Sequence, residues 1–134
     1  MSHQYNGETV QLRSDDDVSM CLASTEYDDV APLYYKKCNV NDEHQFYDFK
    51  KLKGRSQYMF GMIHAQNDNY CVWLYDGYSF LDSDCDDIWE ILETGVLKSI
   101  HDKKCIGRST SNITRVEAVD CDSESATIWS PYAI

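Results

Sequence analysis

The chain reads as an all-β protein built on a repeated block of roughly 40 residues, and three observations carry that reading. Apolar residues alternate with polar ones over short runs, as in Val116-Glu117-Ala118-Val119, and polar turns interrupt them every few residues. That is the period of a strand and not the stripe of a helix. A cysteine pair recurs in order: Cys21 and Cys38, Cys71 and Cys85, Cys105 and Cys121. Each second cysteine is followed by a closing aromatic, Tyr47, Trp89 or Trp129, spaced 42 and 40 residues apart. The blocks span about 8–53, 56–95 and 96–134. A single block cannot bury its own apolar face, and 134 residues make one domain with one core.

Taken in order, residues 1–7 are a polar leader. Block one predicts strands near 9–14, 20–24, 33–38 and 45–52, with Asp15-Asp16-Asp17 as a solvated hairpin tip. A calcium loop needs alternating carboxylates with Gly and Glu, which this run lacks. Pro32 suits the start of a strand, where its missing N–H is tolerated. Lys50 to Arg55 is a small basic connector. In block two, Asp76-Gly77 between aromatic-rich runs predicts a tight hairpin. Alternation from Cys71 places Val72 and Leu74 towards the core and Trp73 and Tyr75 on the opposite face, with Tyr78 nearby. Block three ends in Ser130-Pro131-Tyr132-Ala133-Ile134, a last strand expected to pair with the first.

Three blocks with Cys-aliphatic, a second Cys and a degenerate Gln-x-Trp resemble the ricin-B-type (R-type) lectin family. The motif stands as Gln45-Phe46-Tyr47, Asp87-Ile88-Trp89 and Thr127-Ile128-Trp129. The resemblance runs from about residue 9 to 134 and implies a β-trefoil. The repeat then selects one of the 15 pairings that six cysteines permit: Cys21–Cys38, Cys71–Cys85 and Cys105–Cys121, one disulfide per block. Zinc is a weak alternative, because no Cys-x-x-Cys occurs and no histidine pairs with a cysteine at ligand spacing.

The net charge of −11, from 12 Lys and Arg against 23 Asp and Glu, argues against nucleic acid and anionic membranes as partners. No apolar run reaches the ~18 residues of a transmembrane span, and the polar start is no signal peptide. Paired cysteines imply an oxidising, extracellular or secretory setting. Asn112-Ile113-Thr114 is an N-glycosylation acceptor in a turn, which fits that setting.

In the family an Asp two residues after the first Cys takes sugar hydroxyls. An aromatic on the third strand stacks on the ring, and an Asn beside Gln-x-Trp adds hydrogen bonds. Those positions fall on Ala23, Trp73 and Gly107 for the Asp, on Lys36, Ser83 and Val119 for the aromatic, and on His44, Asp86 and Ala126 for the Asn. Counting back from Tyr47 puts Tyr35 at the stacking position of block one. The resemblance therefore implies a lectin of altered, non-galactose specificity. Its candidate ligand residues are Tyr35, Asn41, His44 and Gln45 in block one, and Trp73, Tyr75, Asp86 and Asp87 in block two. Block three offers nothing at its three positions. Partners would be glycans or glycoproteins, with no cofactor and no metal. No catalytic motif stands in the sequence, so no enzyme is expected. The rival expectation is a trefoil acting through protein contacts. It would be a protease inhibitor presenting Lys36-Lys37 or Lys103-Lys104, or a receptor- or toxin-associated module.

Overall fold

A computed structural model of the chain describes residues 9–51, 59–66, 69–92, 94–109, 111 and 114–133. The polar leader, residues 52–55 of the connector at 50–55, and Asn112 and Ile113 of the acceptor tripeptide lie outside these residues. Block one contributes β1 (Val10–Ser14), β2 (Met20–Ala23), β3 (Ala31–Pro32), β4 (Tyr34–Lys37), a 3-10 turn at Glu43–Gln45 and β5 (Tyr47–Lys51). Block two contributes β6 (Met59–Ala65), β7 (Cys71–Tyr75), β8 (Tyr78–Asp82) and β9 (Trp89–Ile91). Block three contributes β10 (Leu97–Ser99), β11 (Cys105–Arg108), β12 (Val116–Val119) and β13 (Trp129–Ala133).

Antiparallel pairing arranges these strands as a β-trefoil. β13, β1, β5, β6, β9 and β10 follow one another side by side, and a bridge from Val96 to Ile128 closes the ring. β1 and β13 pair over five residues, from Val10 opposite Ala133 to Ser14 opposite Trp129, as the last strand was expected to do. Three hairpins, β2–β4, β7–β8 and β11–β12, cap the ring. They are tied to one another where Leu33 N donates to the Ser79 carbonyl and Val116 N to the Leu33 carbonyl.

The sequence pattern explains the core. Val72 and Leu74 are fully buried, as their alternation required, and Leu12, Leu22, Leu33, Ile63, Leu81, Leu97 and Ile106 join them from the other strands. The closing aromatics Tyr47, Trp89 and Trp129 are buried at 1%, 0% and 0% exposure, one per block. Trp89 meets its polar requirement by donating Nε1–H to the Val72 carbonyl at 3.1 Å. The β7–β8 turn has φ of 51° at Asp76 and 86° at Gly77, the two positive values that a type I′ turn demands.

All six cysteines pair within their own blocks, Cys21–Cys38, Cys71–Cys85 and Cys105–Cys121, with Cα–Cα distances of 5.1, 5.3 and 5.0 Å. Such bonds persist in oxidising compartments. Among the described residues no helix is long and apolar enough to cross a membrane.

Candidate functional site

The three Gln-x-Trp positions are braces. Gln45, Asp87 and Thr127 are 1%, 2% and 5% exposed; Gln45 ties block one together by hydrogen bonds, while Asp87 and Thr127 also bond across to a neighbouring block. Gln45 accepts from Asn39 N at 2.9 Å and from Gln11 Nε2 at 3.1 Å, and donates to the Lys37 carbonyl at 3.0 Å. Asp87 accepts from Leu74 N at 3.1 Å and from the Ser99 hydroxyl at 2.8 Å. Thr127 shares a hydrogen bond with the Tyr35 hydroxyl. Burial raises the Asp87 pKa, against the lowering effect of the Leu74 and Ser99 hydrogen bonds. Gln45 and Asp87 are therefore buried braces, and Asp87 also lines a cavity of block two.

The expected platform Tyr35 is corrected in the same way. Its side chain is 2% exposed and stacks on Trp129, with ring centroids 5.4 Å apart. The reason is register: Tyr35 lies opposite the buried Leu22, whereas Lys36, opposite Cys21, points outward. Desolvation pushes the Tyr35 phenol up to about 12.

Block one instead presents a stack that the sequence did not reveal. The Tyr27 ring lies on His44, with centroids 4.6 Å apart, and Tyr70 of block two stacks 6.2 Å from the Tyr27 ring. His44 Nδ1 is 3.3 Å from Asp42 Oδ1. Desolvation, aided by Glu43 and Asp42, raises the Tyr27 pKa to about 12. Asn41 is exposed, its N–H bonded to Asn39 Oδ1.

Block two holds a cavity of about 300 Å³ walled by Trp73, Asp86, Ile88, Ile100 and His101, with the braced Asp87 at its back. Trp73 is half-buried, stacks beside Phe80 at 6.4 Å and donates its indole N–H to the Asp84 carbonyl. Its position on β7 is therefore fixed. Asp86 is exposed, and its hydrogen bond to Asp84 raises the Asp84 pKa. The cavity thus joins an aromatic wall to a carboxylate and an imidazole. Tyr75 follows the predicted alternation but lies apart from this cavity. It pairs with Tyr78 across the hairpin end, and the two rings are 56% and 64% exposed.

The cavity crosses a block boundary, which is why Ile100 and His101 were missed. Ile100 N donates to the Ile88 carbonyl at 2.8 Å, bringing the turn after β10 against the end of block two. Block three repeats the device on block one, where Asp15 N donates to the Ile128 carbonyl at 2.9 Å. Beside that junction lies a second cavity, of about 350 Å³, lined by Asp16, Arg108, Glu124 and several hydroxyls. Block three, expected to offer nothing at Gly107, Val119 and Ala126, borders this cavity through other residues. At Gly107 the Ser125 carbonyl and Val119 leave no room for a Cβ. The cavity opens next to it on other residues.

Among the described residues no group of three or more His, Cys, Asp or Glu is arranged to hold a metal.

The fold and these cavities define a β-trefoil protein. A scan against protein-family models finds no match, and neither does a search of curated proteins. Solved structures do match. The chain is similar to the BEL β-trefoil (10% identity, TM-score 0.75), covering 99% of this chain and 97% of that one. It is also similar to the β-trefoil lectin of the Vibrio vulnificus hemolysin/cytolysin, solved with N-acetyl-D-lactosamine bound (12% identity, TM-score 0.67, 94% of each chain). A third similarity is to GalNAc-T7, solved with UDP, GalNAc and Mn2+ (14% identity, TM-score 0.72), where 98% of this chain covers 24% of that one. The chain thus spans about a quarter of the length of that protein.

Proposed function

We propose that the protein is a carbohydrate-binding module that takes neutral glycans in the block-two cavity, with a specificity other than the family's usual galactose geometry. The observation that carries this is the wall of Trp73 beside the exposed Asp86 in a cavity of about 300 Å³. A pyranose offers a C–H face to an aromatic ring and a fan of hydroxyls to a carboxylate, and the cavity supplies both partners. His101 adds a second polar contact from the neighbouring block. The lectin folds among the similar structures support a sugar as ligand. On this reading the module is non-catalytic and acts outside the cell or in a secretory compartment, on glycans or glycoproteins.

The test is a glycan array of the oxidised protein beside Trp73→Ala and Asp86→Ala. Binding should be lost in the first variant and weakened at least about tenfold in the second, each lost hydrogen bond to a charged group being worth about 1.5–3 kcal/mol. Hits that survive Trp73→Ala sink the site. A second reading rests on the convex Tyr75–Tyr78 hairpin end, whose exposed rings suit a protein partner. A blank array from folded protein, with a partner captured only when both tyrosines are intact, would establish that reading in its place.

A further inference from the structure

We infer that the outer end of the β7–β8 hairpin docks a basic segment of a protein partner. Arginine or lysine side chains of that segment lie across Tyr75 and Tyr78, between Asp76 and Glu117. This rests on the second reading above, to which it adds the partner's chemistry. Tyr75 and Tyr78 face each other across the last rung of the hairpin and are 56% and 64% exposed. Cross-strand partners stand about 5 Å apart, so the two side chains form one aromatic shelf. The shelf is held in place before anything binds. Ala118 N donates to the Gly77 carbonyl at 3.2 Å, which ties the turn to β12. A surface ordered beforehand costs less to bind. The turn is also open, since a Cβ at Gly77 would meet nothing within 4 Å.

Charge selects the occupant. Glu117 on β12 lies opposite Tyr78, so its side chain leaves the sheet on the same face as that ring. Asp76 is exposed at the turn, and Asp82 stands farther along β8 on the face of Tyr78. The ion pairs among the described residues are His44–Asp42 and Lys104–Asp120, so these three carboxylates are unpaired there. Arg115, two residues before Glu117, lies over the Tyr34 ring at 5.2 Å instead. The other cation–ring contacts of the described residues are Arg13 on Tyr132 and Arg108 on Tyr35, which leaves the shelf uncovered. An aromatic face attracts a cation, and a carboxylate beside it adds to the pull. A second copy of this chain would bring the same carboxylates and set −11 against −11. An anionic lipid surface would be repelled in the same way. A neutral glycan would use the rings but leave the three charges unanswered. A basic segment meets rings and carboxylates together.

The experiment follows, by fluorescence polarisation, a labelled peptide of alternating arginine and serine with the oxidised protein, beside a glutamate–serine control. Saturable binding that falls with added salt is expected for the first peptide and none for the second. Tyr75→Ser with Tyr78→Ser, which changes no charge, should weaken binding about tenfold or more. Asp76→Asn with Glu117→Gln should do the same, and Asn tolerates the positive φ of the turn. Asp16→Asn with Glu124→Gln removes equal charge at the cavity between blocks three and one, and should weaken binding less than about twofold. Circular dichroism establishes that each variant is folded. The proposal is overturned if the arginine peptide does not bind, if the tyrosine variant binds as the parent does, or if the Asp16 and Glu124 changes cost as much. NMR shifts of the Tyr75, Gly77 and Tyr78 amides sort the other occupants. Shifts that follow protein concentration alone mark a second copy, and shifts with array glycans but not with the peptide mark a sugar; either overturns it. A captured partner that needs both tyrosines yet ignores Asp76→Asn with Glu117→Gln leaves the hairpin reading standing and overturns the basic segment alone.

Discussion

The Ser99 hydroxyl donates to the Asp87 carboxylate at 2.8 Å, across the boundary between blocks two and three. A buried carboxylate thus stands where the family's motif has a neutral amide. Because burial raises its pKa in the folded state, the sign is fixed. Asp87 favours folding most below the unfolded value near 4, and that contribution is lost as pH rises through the raised folded value. Asp87→Asn should therefore gain stability relative to the parent at pH 7 and lose that advantage near pH 3, read as urea midpoints. Asp87→Ala, which forfeits both hydrogen bonds, should cost about 2 kcal/mol at pH 7.

Tyr35 acts from beneath the surface. Tyr35→Phe keeps the stack on Trp129 and removes the bond to Thr127, and should cost about 1 kcal/mol. Tyr35→Ala opens a cavity in the core and should cost about 3–5 kcal/mol. If Tyr35→Ala leaves the denaturation midpoint unchanged, the ring is not in the core.

Gly107 cannot carry a side chain in place. A Cβ there would sit 2.4 Å from the Ser125 carbonyl and 2.4 Å from Val119 Cγ2. The first is backbone and cannot turn aside, so Gly107→Ala should cost about 1–3 kcal/mol and displace the Ser125 strip. Shifted Ser125 and Thr127 amide resonances would report the displacement.

The three disulfides close loops over separations of 17, 14 and 16 residues. In the chain-entropy model each contributes roughly 3 kcal/mol, against a total of about 5–15 kcal/mol for a domain. Reduction should lower Tm by tens of degrees or abolish folding at 37 °C. A melt that is unchanged in reductant would contradict this.

The fold was legible because its determinants are local or repeat. Cys21–Cys38 and its two counterparts, the Asp76-Gly77 turn, and the alternation that buries Val72 and Leu74 all follow from short-range pattern. The candidate cavity was legible only where a side chain belongs wholly to one block, as Trp73 and Asp86 do. His101 reaches the block-two cavity, and Asp16 the block-three cavity, by contacts between successive blocks that no spacing within a block encodes. Tyr35 was misplaced because its facing depends on the pairing of β2 with β4, and a shift of one residue exchanges the buried and exposed faces. Tyr27 stacks on His44 from 17 positions away in the chain, and nothing in either neighbourhood announces the other.

Because every disulfide joins cysteines of one block, a protease cut between the partners severs the backbone without releasing a fragment. A nick in the stretch 109–114 would leave both pieces held by Cys105–Cys121 and by the pairing of β11 with β12. Such a molecule would migrate intact on a gel without reductant and fall into two bands with it.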